Sequence, residues 1–248
     1  MLRLTAGVVC ALLAATSHAQ STAEKLAAAM AAEDRPAGDV ARDANRQPIE
    51  TLAFFGFEDD MRVLELIPGG GWYTRLLAPT LADEGTLYVA IGTGRVEERL
   101  MSQPGFEGIK VLNPDVEFER TEPYRRNRAN KPYSFGVSDL DMVLTFRNLH
   151  NFTAEARGYM NKAAFDALKP GGIYGVVDHT ARHNEPVNAP NRRRLDPVLA
   201  IDEIVAVGFE YVGSSNVHYR PNDDLTKEVG DESVAGKTDR FTLKFRKP

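Results

Sequence analysis

Residues 62–77 read RVLELIPGGGWYTRLL: a short aliphatic run, then Pro68 and three consecutive glycines, then a segment with helical spacing. A compact apolar run closed by a proline and glycine cluster is the mark of a buried strand. The stretch 72–81 that follows reads as a helix, with Gly85 marking its exit. A strand feeding straight into a helix through a tight loop is the building unit of a parallel sheet. Glycines in such a loop let backbone N–H groups come close to a ligand, and the helix amino end favours negative groups. The same glycines also serve tight strand-to-helix turns that bind nothing. An acid at the strand end, in the spacing Glu65-x-x-x-Gly69-x-Gly71, tips the reading toward a ligand loop.

The same alternation extends in both directions. Upstream, PIETLAFFGF (48–57) starts with proline at a first helical position and stops at Gly56. Downstream, TLYVAI (86–91) is a second strand, with a helix over 95–101 and a third strand expected at 116–119. DMVLT (141–145) is a fourth strand, followed by a helix over 153–168. A turn at Lys169-Pro170-Gly171-Gly172 leads into a fifth strand, IYGVV (173–177). A helix over 201–207 ends at Gly208, and strands follow at 209–212 and 241–245. Apolar strands alternating with helices predict a doubly wound α/β domain built on a mostly parallel sheet. Ligands in such sheets bind beyond the carboxyl ends of the strands.

The chain has 248 residues, 26% of them charged, and a formal net charge of −5. This mildly acidic balance argues against non-specific nucleic-acid binding, which needs a basic surface. Arg3 is the only charge before Glu24, and residues 6–16 (AGVVCALLAAT) form a short apolar run. Ser17-His18-Ala19 then places small residues where a signal peptidase reads, with Gln20 next. The run is too short to span a bilayer, which takes about 20 apolar residues. The expected organisation is therefore a signal peptide (1–19), an N-terminal helix and linker (20–45) and one α/β domain (46–248). Cleavage removes Cys10, the sole cysteine, and leaves a protein with no membrane span, exported to the periplasm.

Three segments together resemble one family. VLELIPGGGWYTRLLAP (63–79), DMVLTFRNLHNF (141–152) and ALKPGGIYGVVDH (167–179) are similar to the class I S-adenosylmethionine-dependent methyltransferases. Within these, the chain resembles exported bacterial predicted methyltransferases with a PGGGWYT loop. The likeness runs from about residue 42 to 248 and includes the closing segment KTDRFTLKFRKP (237–248). It implies a Rossmann-like seven-stranded sheet with the last strand antiparallel. It also implies S-adenosylmethionine as cofactor, its amino-acid end held by Glu65, Gly69, Gly70 and Gly71. The chain departs from the family twice. Ile67 stands where a further glycine is usual, and Ile91 where an acid usually accepts both ribose hydroxyls. Glu97 and Glu98 further on read as a solvated helix face.

The acceptor side is marked by polar residues at adjacent strand ends: Asn148 and His150 after the fourth strand, Asp178 and His179 ending the fifth. Methyl transfer from a sulfonium is an in-line displacement, so the protein mainly positions the two partners. A hydroxyl or amine acceptor also needs a base, and histidine suits neutral pH. His150 is the first candidate and His179 the second, with Asn148 and Asp178 orienting substrate or imidazole. The alternative is that Asp178 and His179 only cap strand ends or pair with each other. No ligand pair has a recognised metal spacing, so no metal site is read. Trp72 and Tyr73 read as packing, and Arg125–Arg128 and Arg192–Arg194 as solvated loops. The stretch 214–239 reads as a lid or binding loop, with Tyr219, Asp223, Asp224 and Lys227 as contacts. Two functions follow: an exported methyltransferase for a small-molecule or envelope substrate, or a non-catalytic relative binding a ligand or envelope partner.

Overall fold

The computed structural model of the chain describes residues 20–248, so the expected signal peptide (1–19) lies outside the described residues. The chain enters through helix α1 (Thr22–Met30), closed by a capping box between Ser21 and Glu24. Leu26 and Ala29 bury on one face of α1, and Lys25 Nζ meets Asp59 at 2.6 Å, tying the helix to the domain. The stretch expected as linker holds two single-turn helices, α2 (Ala37–Val40) and α3 (Asp43–Arg46), before α4 (Pro48–Phe55).

The alternating elements then follow: β1 (Arg62–Leu66), α5 (Thr74–Leu81), β2 (Thr86–Ala90), α6 (Gly94–Arg99) and β3 (Lys110–Leu112). A hairpin of β4 (Phe118–Thr121) and β5 (Arg126–Ala129) interrupts them. The chain continues with β6 (Leu140–Phe146), α7 (Ala154–Ala167), β7 (Leu168–His179), α8 (Pro197–Val205), β8 (Glu210–Ser215) and β9 (Arg240–Arg246). Among the described residues, seven strands form one sheet in the order β3-β2-β1-β6-β7-β9-β8. β9, the last strand, runs antiparallel between β7 and β8, while the pairs from β3 to β7 are parallel.

Side chains alternate across the sheet with period two. Val63, Val89 and Leu144 enter the layer of α4 and α5, while Leu64, Ala90 and Val143 enter the layer of α7 and α8. Both faces are covered, which is why these strands read as continuous apolar runs rather than as alternations.

Three expectations about the strands and loops are corrected. The third strand of the sheet is β3, not 116–119, and β4 pairs with β5 outside the main sheet. Three residues, Lys110 to Leu112, are too few for periodicity to show, whereas VEFE alternates visibly. The Lys169–Gly172 turn is absorbed into β7, which starts at Leu168 opposite Leu140 and shifts register before Ile173. The stretch 125–128, expected as a solvated loop, supplies most of β5.

Candidate functional site

β1 and β6 are neighbours at the centre of the sheet, where the strand order reverses, and their carboxyl ends open on the same side. A crevice forms at such a reversal because the loops leaving the two strands diverge to opposite faces. Here it is a cavity of about 380 Å³, lined by Glu65 and Gly69–Gly70 from the first loop and by Phe146, Arg147 and Asn148 from the end of β6. Its outer wall comes from before the domain proper: Asp39, Arg42 and Arg46, on and around α2 and α3.

The glycine loop is held open. A Cβ at Gly69, which has φ +60°, or at Gly70 would meet nothing within 4 Å, so backbone faces free space there. Gly71 serves differently: its N–H donates to the Pro68 carbonyl at 3.0 Å, and a Cβ would strike Leu100 Cδ1 at 2.8 Å. It is required by its φ of +80° and by packing on α6, and it does not line the cavity as expected. Ile67 and Ile91 occupy the same left-handed region, at φ +54° and +64°. A β-branched residue there costs on the order of 1–3 kcal/mol. The backbone at both strand ends therefore keeps a shape natural to glycine while the side chains pack on the apolar core.

Glu65 is 3% exposed and accepts a 2.6 Å hydrogen bond from Thr74 Oγ1. Burial raises its carboxyl to about 7, against smaller lowering effects of Thr74 and Arg46. Trp72 and Tyr73 are buried, as the packing reading expects, yet both reach the cavity wall. Trp72 Nε1 donates to the Asp39 carbonyl at 2.9 Å, and the Tyr73 ring stacks on Phe146. The Arg46 guanidinium lies 4.3 Å from the centre of the Trp72 ring. Asn148 Nδ2 donates to the Ile67 carbonyl at 3.2 Å, stitching the end of β6 to the first loop.

The polar residues further along form a second, buried cluster. Asp178 is fully buried and accepts from the His150 backbone N–H (2.9 Å), from His150 Nδ1 (2.5 Å) and from the His179 N–H (2.7 Å). His179 Nδ1 pairs with Thr238 Oγ1 at 2.9 Å, and the two imidazoles lie 5.7 Å apart. Neither Nε2 bonds a described residue. Burial, with His150 and nearby arginines, holds the His179 ring well below the ordinary histidine range, so it stays neutral. The cluster adjoins Arg147 and Asn148 along the chain and across β6 and β7, but it does not line the cavity.

Other polar side chains beyond the strand ends are placed elsewhere. His183 is exposed and pairs with Asp196, and Arg182 bonds the Asp224 carbonyl. Arg194, expected in a solvated loop, is fully buried against Asp223 at 2.9 Å, and Asp223 also accepts the Asp239 N–H. The stretch 214–239 begins inside β8 and is pinned through Asp223, with Tyr219 left 61% exposed. The cavity arginines are the residues that sequence reading missed. Arg147 adjoins Asn148 and was within reach of the strand-end rule, whereas nothing local marks Arg46, which precedes the first strand.

Strand order, the antiparallel last strand and the glycine loop define a seven-stranded methyltransferase-type α/β fold. Particular solved structures share it. A SAM-dependent methyltransferase from Aquifex aeolicus superposes with TM-score 0.58 at 14% identity, covering 88% of this chain and 96% of that one. The glycopeptide N-methyltransferase MtfA complexed with sinefungin gives 0.53 at 14%, with 83% and 87% covered. The cyclase SpnF gives 0.51 at 17%, with 86% and 81% covered. Identities this low speak for the fold, and one fold hosts different reactions. The chain matches no protein-family model and no curated protein.

Proposed function

We propose that the chain is an S-adenosylmethionine-dependent methyltransferase acting on a small molecule, exported to the bacterial periplasm. The observation that carries the reading is the open Gly69–Gly70 loop at the end of β1, sharing one cavity with the end of β6. One structural neighbour with this sheet holds sinefungin, and others are SAM-dependent enzymes. Gly69 and Gly70, with Glu65 on the same cavity, would hold the amino-acid end of the cofactor. Bound there, the cofactor supplies an electrophilic methyl group on a sulfonium.

The chain's own part is positioning and proton handling. Asp178 orients the His150 ring through Nδ1, and Nε2, which bonds no described residue, would be the atom to take a proton from an acceptor hydroxyl or amine. His179, kept neutral, contributes shape rather than charge. Calorimetry with S-adenosylhomocysteine tests the reading; absence of heat at millimolar ligand sinks it. Export is tested by cell fractionation and the mass of the mature amino terminus, expected at Gln20.

A second reading, ligand binding without catalysis, is supported by Ile91 at the end of β2 and by the burial of His150, Asp178 and His179. On that reading His150→Gln lowers stability and leaves ligand affinity unchanged. On the catalytic reading it costs roughly 10²–10⁴ in turnover with the fold intact.

A further inference from the structure

The cavity has more positive charge than its own carboxylates can meet. Five arginines line it against two acids, Asp39 and Glu65. Asp39 is engaged: it pairs with Arg42 and lies 3.6 Å from Arg75. Glu65 is bonded by Thr74 and favours its neutral form up to about pH 7. That leaves Arg46 and Arg147, and Arg99 at the solvent-exposed edge. Arg46 is only 4% exposed, yet its guanidinium donates to no described residue and has no described carboxylate within 4 Å; it lies over the Trp72 ring, with the Tyr73 ring 5.9 Å away. Arg147, half-buried and held at φ +62° where β6 ends, has no described ion-pair or hydrogen-bond partner for its side chain either.

A buried cation without a partner costs several kcal/mol, so it persists where something else supplies the counter-charge. Of the other buried arginines, Arg35, Arg157 and Arg194 have carboxylates (Asp43, Glu203 and Asp223), and Arg240 donates to the Asn45 side chain and to backbone carbonyls of Asn45 and Thr238. Helix α5 begins at Thr74, just after the loop, and its amino end adds to the positive field. The proposed cofactor deepens the surplus, since its sulfonium and ammonium outweigh its one carboxylate.

We infer that Arg46 and Arg147 form an oxyanion clamp for an acidic methyl acceptor, one bearing a carboxylate or phosphate group. This rests on the methyltransferase reading for the word acceptor; the clamp itself rests on the two guanidiniums. Guanidinium suits the task because its planar fork meets carboxylate and phosphate oxygens in pairs.

Trp72 is the only tryptophan in the chain and lies against Arg46, so its emission reports on the clamp directly. The experiment titrates the mature chain with inorganic phosphate and, separately, succinate, at ionic strength held constant with sodium chloride. A saturable change in Trp72 emission is expected with at least one of them, and the stronger of the two tells phosphoryl from carboxylate. Arg147→Asn, a residue at ease in the left-handed region, should weaken that binding at least tenfold, and Arg46→Met likewise. Arg192→Gln, outside the cavity, should leave it unchanged. If Arg46→Met fails to fold by circular dichroism, Arg147→Asn carries the test alone.

No saturable response to either anion overturns the clamp, as does an equal loss in Arg192→Gln. Repeating the titration with saturating S-adenosylhomocysteine separates the two ligands. Anion affinity within threefold of the free protein supports a separate acidic acceptor. Mutual displacement overturns it, because the arginines then serve the cofactor's own carboxylate. Saturable anion binding without any S-adenosylhomocysteine heat removes the methyltransferase reading and leaves the clamp standing.

Discussion

Glu65→Gln is the most informative single substitution, because it converts a buried carboxyl into a measurable pH dependence. In the folded protein burial raises that carboxyl from 4.5 to about 7. The unfolded chain therefore loses this proton first as pH rises, and between those values the folded state binds more protons than the unfolded one. Stability falls with pH wherever that holds. The cost is absent below 4.5, grows up to about 7 and stays constant above it. At 1.36 kcal/mol per unit the full effect is about 3 kcal/mol, and between about pH 5 and pH 8 it is about 2.5 kcal/mol. The substituted amide would still accept the Thr74 hydroxyl proton that Glu65 accepts at 2.6 Å, so the change removes the titration and little else. Urea denaturation of both proteins, followed by Trp72 fluorescence, gives the comparison. The variant should gain on the native chain by on the order of 1 M urea in midpoint between those pH values. Contributions of other titrating groups cancel in the difference. A gap that does not change with pH, or that closes as pH rises, refutes the reasoning and means that Arg46 keeps Glu65 ionised.

The remaining predictions concern the loop, the pinned stretch and Ile91 at the end of β2. Gly71→Ala forces a side chain to φ +80° against Leu100 and should cost about 1–3 kcal/mol, while Gly70→Ala, in open space, should stay within about 0.5 kcal/mol; thermal denaturation compares them. Asp223→Ala strands the fully buried Arg194 and should cost about 3–5 kcal/mol in chemical denaturation, against under about 1 kcal/mol for the exposed Glu210→Ala, which breaks the Arg246 pair. Ile91→Asp supplies a hydrogen-bond acceptor at the end of β2 and should tighten S-adenosylhomocysteine binding about tenfold by calorimetry; unchanged affinity rules out a ribose at that position.

The stretch 62–77 was legible because a strand, a glycine loop and a helix each leave a local mark: an apolar run, residues free of Cβ, and a helical spacing of apolar side chains. From repeats of that pattern came the α/β class, most strand positions and the edge where the site had to lie. Those features depend on near neighbours in sequence, which is why composition and spacing carry them. The third strand escaped because Lys110–Leu112 is too short to show a period and is a strand only through its bonds to β2. Arg194 escaped because the burial of its charge depends on Asp223, 29 residues away. The division of the polar strand ends into a cavity group with Asn148 and a buried group around Asp178 depends on where neighbouring strands place their last side chains. The arginine surplus has the same origin. Arg46 and Arg147 lie about a hundred residues apart, and only the closing of α3 over the end of β6 puts both charges on one cavity. Sequence alone picked out the loop that borders the cavity; tertiary structure decided the charge of that cavity, because charge in a cavity is summed over distance in space and not along the chain.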